Sequence, residues 1–205
     1  MRSTARWISV LLHPIFMPLI TIALAMQVDP HVAYFLPLHL RGVTLMMLGV
    51  MTVAFPFTSI LLLLRARMIT SIHMPTREER VVPYGMMVIY LGMTYYLLRH
   101  SPLDMIVRSI MLGMIVALFL TTLITVWWKI SIHMVGIGGL LGVTAALAAI
   151  HSLPLLPVLA GIILLSGVLG TARMLDGGHT IGQVVGGFAL GLCTTYICVV
   201  LGVAV

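Results

Sequence analysis

The sequence predicts an all-α protein: a polytopic bundle of about six to seven membrane-spanning helices, with a polar site at one membrane face. Three observations carry this. Of 205 residues, 61% are hydrophobic and only 8% are charged, too few charges to cover the surface of a soluble domain. Seven apolar runs approach the roughly 20 residues that a helix needs to cross a bilayer. No stretch alternates with a period of two, which argues against a membrane barrel. No Ser/Gly/Pro linker or charge run divides the chain, so residues 1–205 are expected to form one domain.

The runs fall near 7–26, 42–64, 82–98, 105–128, 132–150, 154–171 and 180–203. The first follows Met-Arg-Ser-Thr-Ala-Arg-Trp and lacks a small-x-small cleavage site, so it reads as a retained helix. Arg65 and Arg67 end the second run, where long basic side chains reach the head-group level. The third run follows His73-Met-Pro-Thr-Arg77-Glu78-Glu79-Arg80, in which the glutamates read as partners for Arg77 and Arg80. Asp104 and Arg108, one turn apart at the start of the fourth run, read as a structural pair. Trp127 and Trp128 end that run as an interfacial belt. Lys129 and His133 open the fifth run four residues apart, the spacing of one helix side. Gly138 and Gly142 in the fifth run, and Gly178, Gly182, Gly186, Gly187 and Gly191 around the seventh, recur at spacings that allow close helix approach. Cys193 and Cys198 are five apart on one helix and imply neither a disulfide nor a metal motif. His13, His31, His39, His100 and His151 read as interface or helix-end residues. The scattered methionines read as apolar filler.

The net charge of +6 does not point to nucleic acid, because no soluble basic patch carries it. Short basic loops suit anionic lipid head groups instead. The chain is expected to lie in the cell (inner) membrane with the bilayer as a partner, its oligomeric state open. Alternate connections share a face. One face receives Arg2, Arg6, Arg65, Arg67, Arg77, Arg80, Lys129 and Arg173; the other receives Arg41, Arg99 and Arg108. The bias would put the first face in the cytoplasm, but it nearly vanishes once Arg77, Arg80, Lys129 and Arg173 are assigned to a site, so the side stays open.

Helix counting places three polar stretches on that first face. They are His73 to Pro83; Trp127 to His133; and Gly170-Thr-Ala-Arg173-Met-Leu-Asp176-Gly-Gly-His179-Thr-Ile-Gly-Gln183. An arginine fork matches phosphate oxygens. A histidine can move protons near neutral pH or form a covalent phospho-intermediate. His179 and Gln183 are four apart, so the Gln183 oxygen can accept the Nδ1 proton and leave Nε2 free to attack. Gly177 and Gly178 could turn backbone N–H groups towards a ligand.

These stretches resemble the three motifs of the type 2 phosphatidic acid phosphatases, integral membrane lipid phosphatases. The third motif, Ser-Arg, five residues, His, three residues, Asp, is similar to Ala172-Arg173, five residues, His179, three residues, Gln183. The second, Ser-Gly-His, is similar to Ser131-Ile132-His133, and the first, Lys, six residues, Arg-Pro, to His73 through Arg80 with Pro83 displaced. The resemblance covers the chain from about 70 to the end. It implies a metal-independent lipid phosphatase without a cofactor, acting on a phosphomonoester or pyrophosphate through a phosphohistidine. By position, His179 is then the nucleophile and His133 the general acid. Arg173, Arg80 and Arg77 hold phosphate oxygens, with Ser131 and Lys129 beside them. Gln183 stands where the family has an aspartate; Asp176 is a second candidate for that role. A lipid phosphotransferase, and a lipid-phosphate binding or transport protein weakened in catalysis, are the alternative readings.

Overall fold

The computed structural model describes residues 2–35, 38–72, 74, 76–99 and 105–204, with the backbone alone at 2–6, 35, 39, 203 and 204. Among the described residues all regular structure is helical. Seven helical segments among the described residues are long and apolar enough to cross a membrane, so the chain is an integral membrane helix bundle. The calls on His73, His100 and Asp104, and on the side chains of Arg2, Arg6 and His39, lie outside the described residues.

The first span is not one helix. α1 (Arg2–Leu11) ends before His13, and a short turn at Pro14–Phe16 leads into α2 (Met17–Val28). Pro14 has no N–H to continue a helix, and it forces the preceding residue out of the helical region; His13 accordingly sits at φ −68°, ψ 135°. α3 (Pro30–Phe35) follows. The second span joins α4 (Leu38–Gly49) and α5 (Phe55–Arg65) through one wide π-type turn at Val50–Ala54. Pro56, just after it, removes a ladder donor, the usual reason for such a turn.

α6 (Glu78–Leu98) starts earlier than the apolar run suggests, because Glu78 to Val82 are already helical; Pro83 sits inside it near its start. α7 (Met105–Trp127), α8 (Ile132–Ile150), α9 (Leu156–Leu175) and α10 (Ile181–Ala204) complete the bundle. α8 is the central helix: 78% of its apolar window is buried, against 22–44% for the other spans. Ile22, Leu48, Ile110, Met111, Val143 and Leu147 form the core around it.

α8 and α10 meet through glycine. A Cβ at Gly187 would come 2.6 Å from the Ser131 carbonyl, and one at Gly191 would overlap that of Val135. Gly138 and Gly142 are blocked in the same way by the α10 backbone at Phe188 and Leu192. Such approach gains dispersion contacts that lipid cannot match. Thr195 Oγ1 crosses the contact to the Gly139 carbonyl at 3.0 Å. Gly186 instead makes room for the Trp128 ring, 3.0 Å from where its Cβ would stand.

At the end of the bundle away from Arg80 and His133, the helix-end residues His151 and His31 gain partners. Asp29 is fully buried and lies 2.7 Å from His151 Nδ1, while His31 stacks on His151 at 4.2 Å. These residues are distant in sequence, so spacing gave no signal. Cys193 and Cys198 are both free.

Candidate functional site

The polar stretches meet at the opposite end of the bundle, around the first turn of α8. Lys129 is not on α8. α7 closes with Trp128 N–H on the Ile124 carbonyl, and an extended Ser131 (φ −87°, ψ 100°) starts α8 at Ile132. The expected shared helix side for Lys129 and His133 is therefore replaced by a turn. Ser131 N–H donates to the Gln183 carbonyl at 3.2 Å, which ties this turn to the start of α10.

Arg173 stands in the last turn of α9. Beyond it the chain reverses at Gly177, whose φ of +71° favours glycine. Gly178 lies beneath the guanidinium: a Cβ there would be 3.3 Å from Arg173 Nη2. Asp176 lies within electrostatic range of Arg173. His179 follows in the connection, buried to 8% exposure. Its Nδ1 is 3.2 Å from Gln183 Oε1, which also accepts the Thr180 N–H at 3.1 Å. In return Thr180 Oγ1 accepts the Gln183 N–H at 3.4 Å. Thr180-x-x-Gln183 is thus a capping box at the start of α10. An amide oxygen only accepts, so His179 carries its proton on Nδ1 and keeps a lone pair on Nε2.

The environment favours that neutral form. Burial first, then the Arg173, Arg80 and Lys129 cations, lower His179 from 6.5 to about 4, with the Gln183 bond opposing them. Burial, then Arg80 and Arg173, likewise hold Lys129 below the ordinary lysine range. Arg80 is buried at 7% exposure and donates Nε to the Met74 carbonyl at 2.9 Å.

Glu79 does not pair with Arg80, contrary to expectation. It accepts from Thr70 N–H at 2.9 Å and from the Thr70 and Thr76 hydroxyls, because Arg80 points into the bundle. Glu78 does pair with Arg77, at 2.7 Å. Arg77 is exposed and gives Nη1 to the Trp127 carbonyl at 2.8 Å; it is not brought into the cluster with His179.

The structure adds three residues that sequence reasoning missed. Ser9 on α1 accepts Arg173 Nη1 on its hydroxyl at 3.3 Å and His133 Nε2 on its carbonyl at 3.2 Å. The carbonyl is within reach because His13 leaves the helix one turn later. His133 is thereby protonated on Nε2, with Nδ1 as its other face. His13 sets its ring 5.3 Å from that of His133, edge to face. Tyr84 on α6 is buried within range of Arg80 and Arg173. The helix break at Pro14, and the one-turn step from Arg80 to Tyr84, were the available signals.

Three buried atoms at this place have no hydrogen-bond partner among the described residues: Ser131 Oγ, His133 Nδ1 and Arg173 Nε. Each such group costs about 1–3 kcal/mol, so their grouping marks where a polar ligand would be received. Two donors with Arg80 and Lys129 nearby suit an oxyanion. Among the described residues no group of three or more His, Cys, Asp or Glu could hold a metal ion. In comparisons with known proteins, no family model, no curated protein and no solved structure matches this chain.

Proposed function

We propose that this chain is a lipid phosphatase of the bilayer that hydrolyses a lipid phosphomonoester or pyrophosphate through a phosphohistidine. The observation that carries the reading is the trio of unpartnered buried atoms, Ser131 Oγ, His133 Nδ1 and Arg173 Nε, beside a histidine whose Nδ1 is engaged and whose Nε2 is not. The resemblance of the polar stretches to type 2 phosphatidic acid phosphatases supports the same roles.

In this reading Arg173, Arg80 and Lys129 hold the phosphate oxygens and offset the charge that develops on them. Ser131 adds a hydroxyl donor. The Nε2 lone pair of His179 forms the N–P bond as the P–O bond to the lipid alcohol breaks. A phosphate that binds in its singly protonated form gives that proton to His133 Nδ1, and the leaving oxygen takes it from there, while His133 Nε2–H stays on the Ser9 carbonyl. Water then adds to phosphorus and gives its proton to His133 Nδ1. The N–P bond breaks and its pair returns to His179 Nε2. Gln183 keeps the Nδ1 proton in place throughout, which fixes the reactive tautomer.

The test is phosphate release by purified protein, with chelator present, from phosphatidic acid, phosphatidylglycerol phosphate and a polyprenyl pyrophosphate. Release from at least one, lost in His179→Ala, supports the reading; equal release by both proteins rejects the nucleophile. Gln183 favours one second reading, a lipid-phosphate binder or transporter weakened in turnover, since a neutral amide stabilises the charged phosphohistidine less than a carboxylate. Brisk wild-type turnover argues against that reading, and a sharp gain in Gln183→Asp argues for it.

A further inference from the structure

Next to the polar cluster lies an apolar groove between α2, α6, α7 and α8. It is continuous with the cluster along α6. Arg80, Tyr84, Met87 and Leu91 succeed one another at helical steps of three or four residues and so share one face. Arg80 and Tyr84 belong to the cluster, while Met87 and Leu91 line the groove. Tyr84 is the seam: it lies within range of Arg80 and Arg173, and it packs in one buried apolar group with Leu91 and Ile132. Ile132, a groove residue, is the chain neighbour of both Ser131 and His133.

The groove demands no polar partner. Thr21, the lone hydroxyl on its wall, already donates to the Met17 carbonyl at 2.7 Å. Its width depends on Gly136, where a Cβ would stand 2.7 Å from Met17 Cγ. Met17, Met87 and Met114 line it with flexible thioethers, which accommodate a bent apolar chain better than branched side chains do.

We infer that this groove holds a hydrocarbon chain of the same lipid whose phosphate the polar cluster receives. The inference rests on the phosphate-site reading above, but on its ligand and not on its hydrolysis. The chain runs from the seam at Tyr84 along Met87 towards Leu91, away from Arg173, so head group and tail are read by one continuous surface.

The test uses full-length protein in phosphatidylcholine nanodiscs and hexadecyl phosphate with a diazirine near its chain end. Irradiation is expected to label α6 around Met87–Leu91 and α7 around Met114–Leu118 well above the exposed positions Ile163 and Leu164. Labelling of the groove should fall several-fold in Arg173→Ala, and again in Met87→Trp, which fills the groove. Met87→Ala keeps the groove open and should retain labelling if the tryptophan variant fails to fold. Even labelling of groove and bilayer-facing positions overturns the inference. So does equal groove labelling by a diazirine phosphatidylcholine, which would mean that the groove takes any bilayer chain. Phosphate release with even labelling removes the groove and keeps the hydrolytic reading. Arg173-dependent groove labelling without release from any lipid phosphate keeps the groove and removes hydrolysis.

Discussion

At the scale of single residues, the account turns on which nitrogen of each histidine carries a proton. Gln183 fixes His179 with Nδ1–H, and the Ser9 carbonyl fixes His133 with Nε2–H. Because His179 titrates near pH 4, its Nε2 is unprotonated at neutral pH, and the acid limb of kcat/KM should follow it near pH 4 rather than 6.5. Gln183→Glu retains the reach of the capping box and adds a carboxylate, which favours the imidazolium. The limb should therefore move up in pH, and a pH–rate profile that does not move contradicts the assigned contact. The same group bears on stability. The unfolded chain binds a proton at His179 near 6.5 and the folded protein near 4, so its contribution is intact above pH 6.5 and is lost as pH falls towards 4. Arg173, His179, Gln183 and His133 were legible in the sequence, because polar residues are rare in an apolar chain and helix counting put them on one face. The Thr180-x-x-Gln183 capping box is equally legible from its spacing. It explains why a glutamine, with its extra methylene, serves at this position.

At the scale of elements, the break between α1 and α2 matters most. A straight first helix would have kept the Ser9 carbonyl in its own ladder and carried His13 elsewhere. Instead the extended residue before Pro14 lets α1 reach His133 and Arg173 while α2 forms a wall of the groove. Pro14→Ala restores a backbone donor and lets the helix run on. It should lower kcat about tenfold, the order expected for one lost hydrogen bond to a charged or reacting group, while KM changes less. Kinetics on the variant in detergent check this, and an unchanged kcat removes α1 from the site. The break was foreseeable from Pro14 alone, but its consequence was not: a contact between residues 9 and 133 has no local signature. The wide turn at Val50–Ala54 was likewise hidden inside a continuous apolar run. The close approach at α8 and α10, by contrast, was signalled by glycines at helical spacing, although that spacing does not say which helices pair.

At the scale of the whole molecule, the seven spans were legible because bilayer thickness fixes helix length, and observed and expected boundaries differ by only a few residues at most spans. Parity then put the polar stretches together without knowledge of side-chain contacts. It also makes a claim about sidedness. In a chain with Cys193 and Cys198 replaced, a thiol at exposed Arg77 and one at exposed Ser152 should react with an impermeant reagent from opposite sides of the membrane. Reaction from the same side would contradict the topology. The positive-inside bias could not assign those sides, because Arg80, Lys129 and Arg173, three of the cations that create it, lie at the candidate site. The most direct test of the central claim is mass spectrometry of protein quenched under alkaline conditions during turnover of a lipid phosphate. The account predicts an acid-labile phosphoryl group on the peptide carrying His179, absent in His179→Ala. Phosphate release that continues in His179→Ala, with no phosphoryl group on that peptide in the wild type, would contradict it.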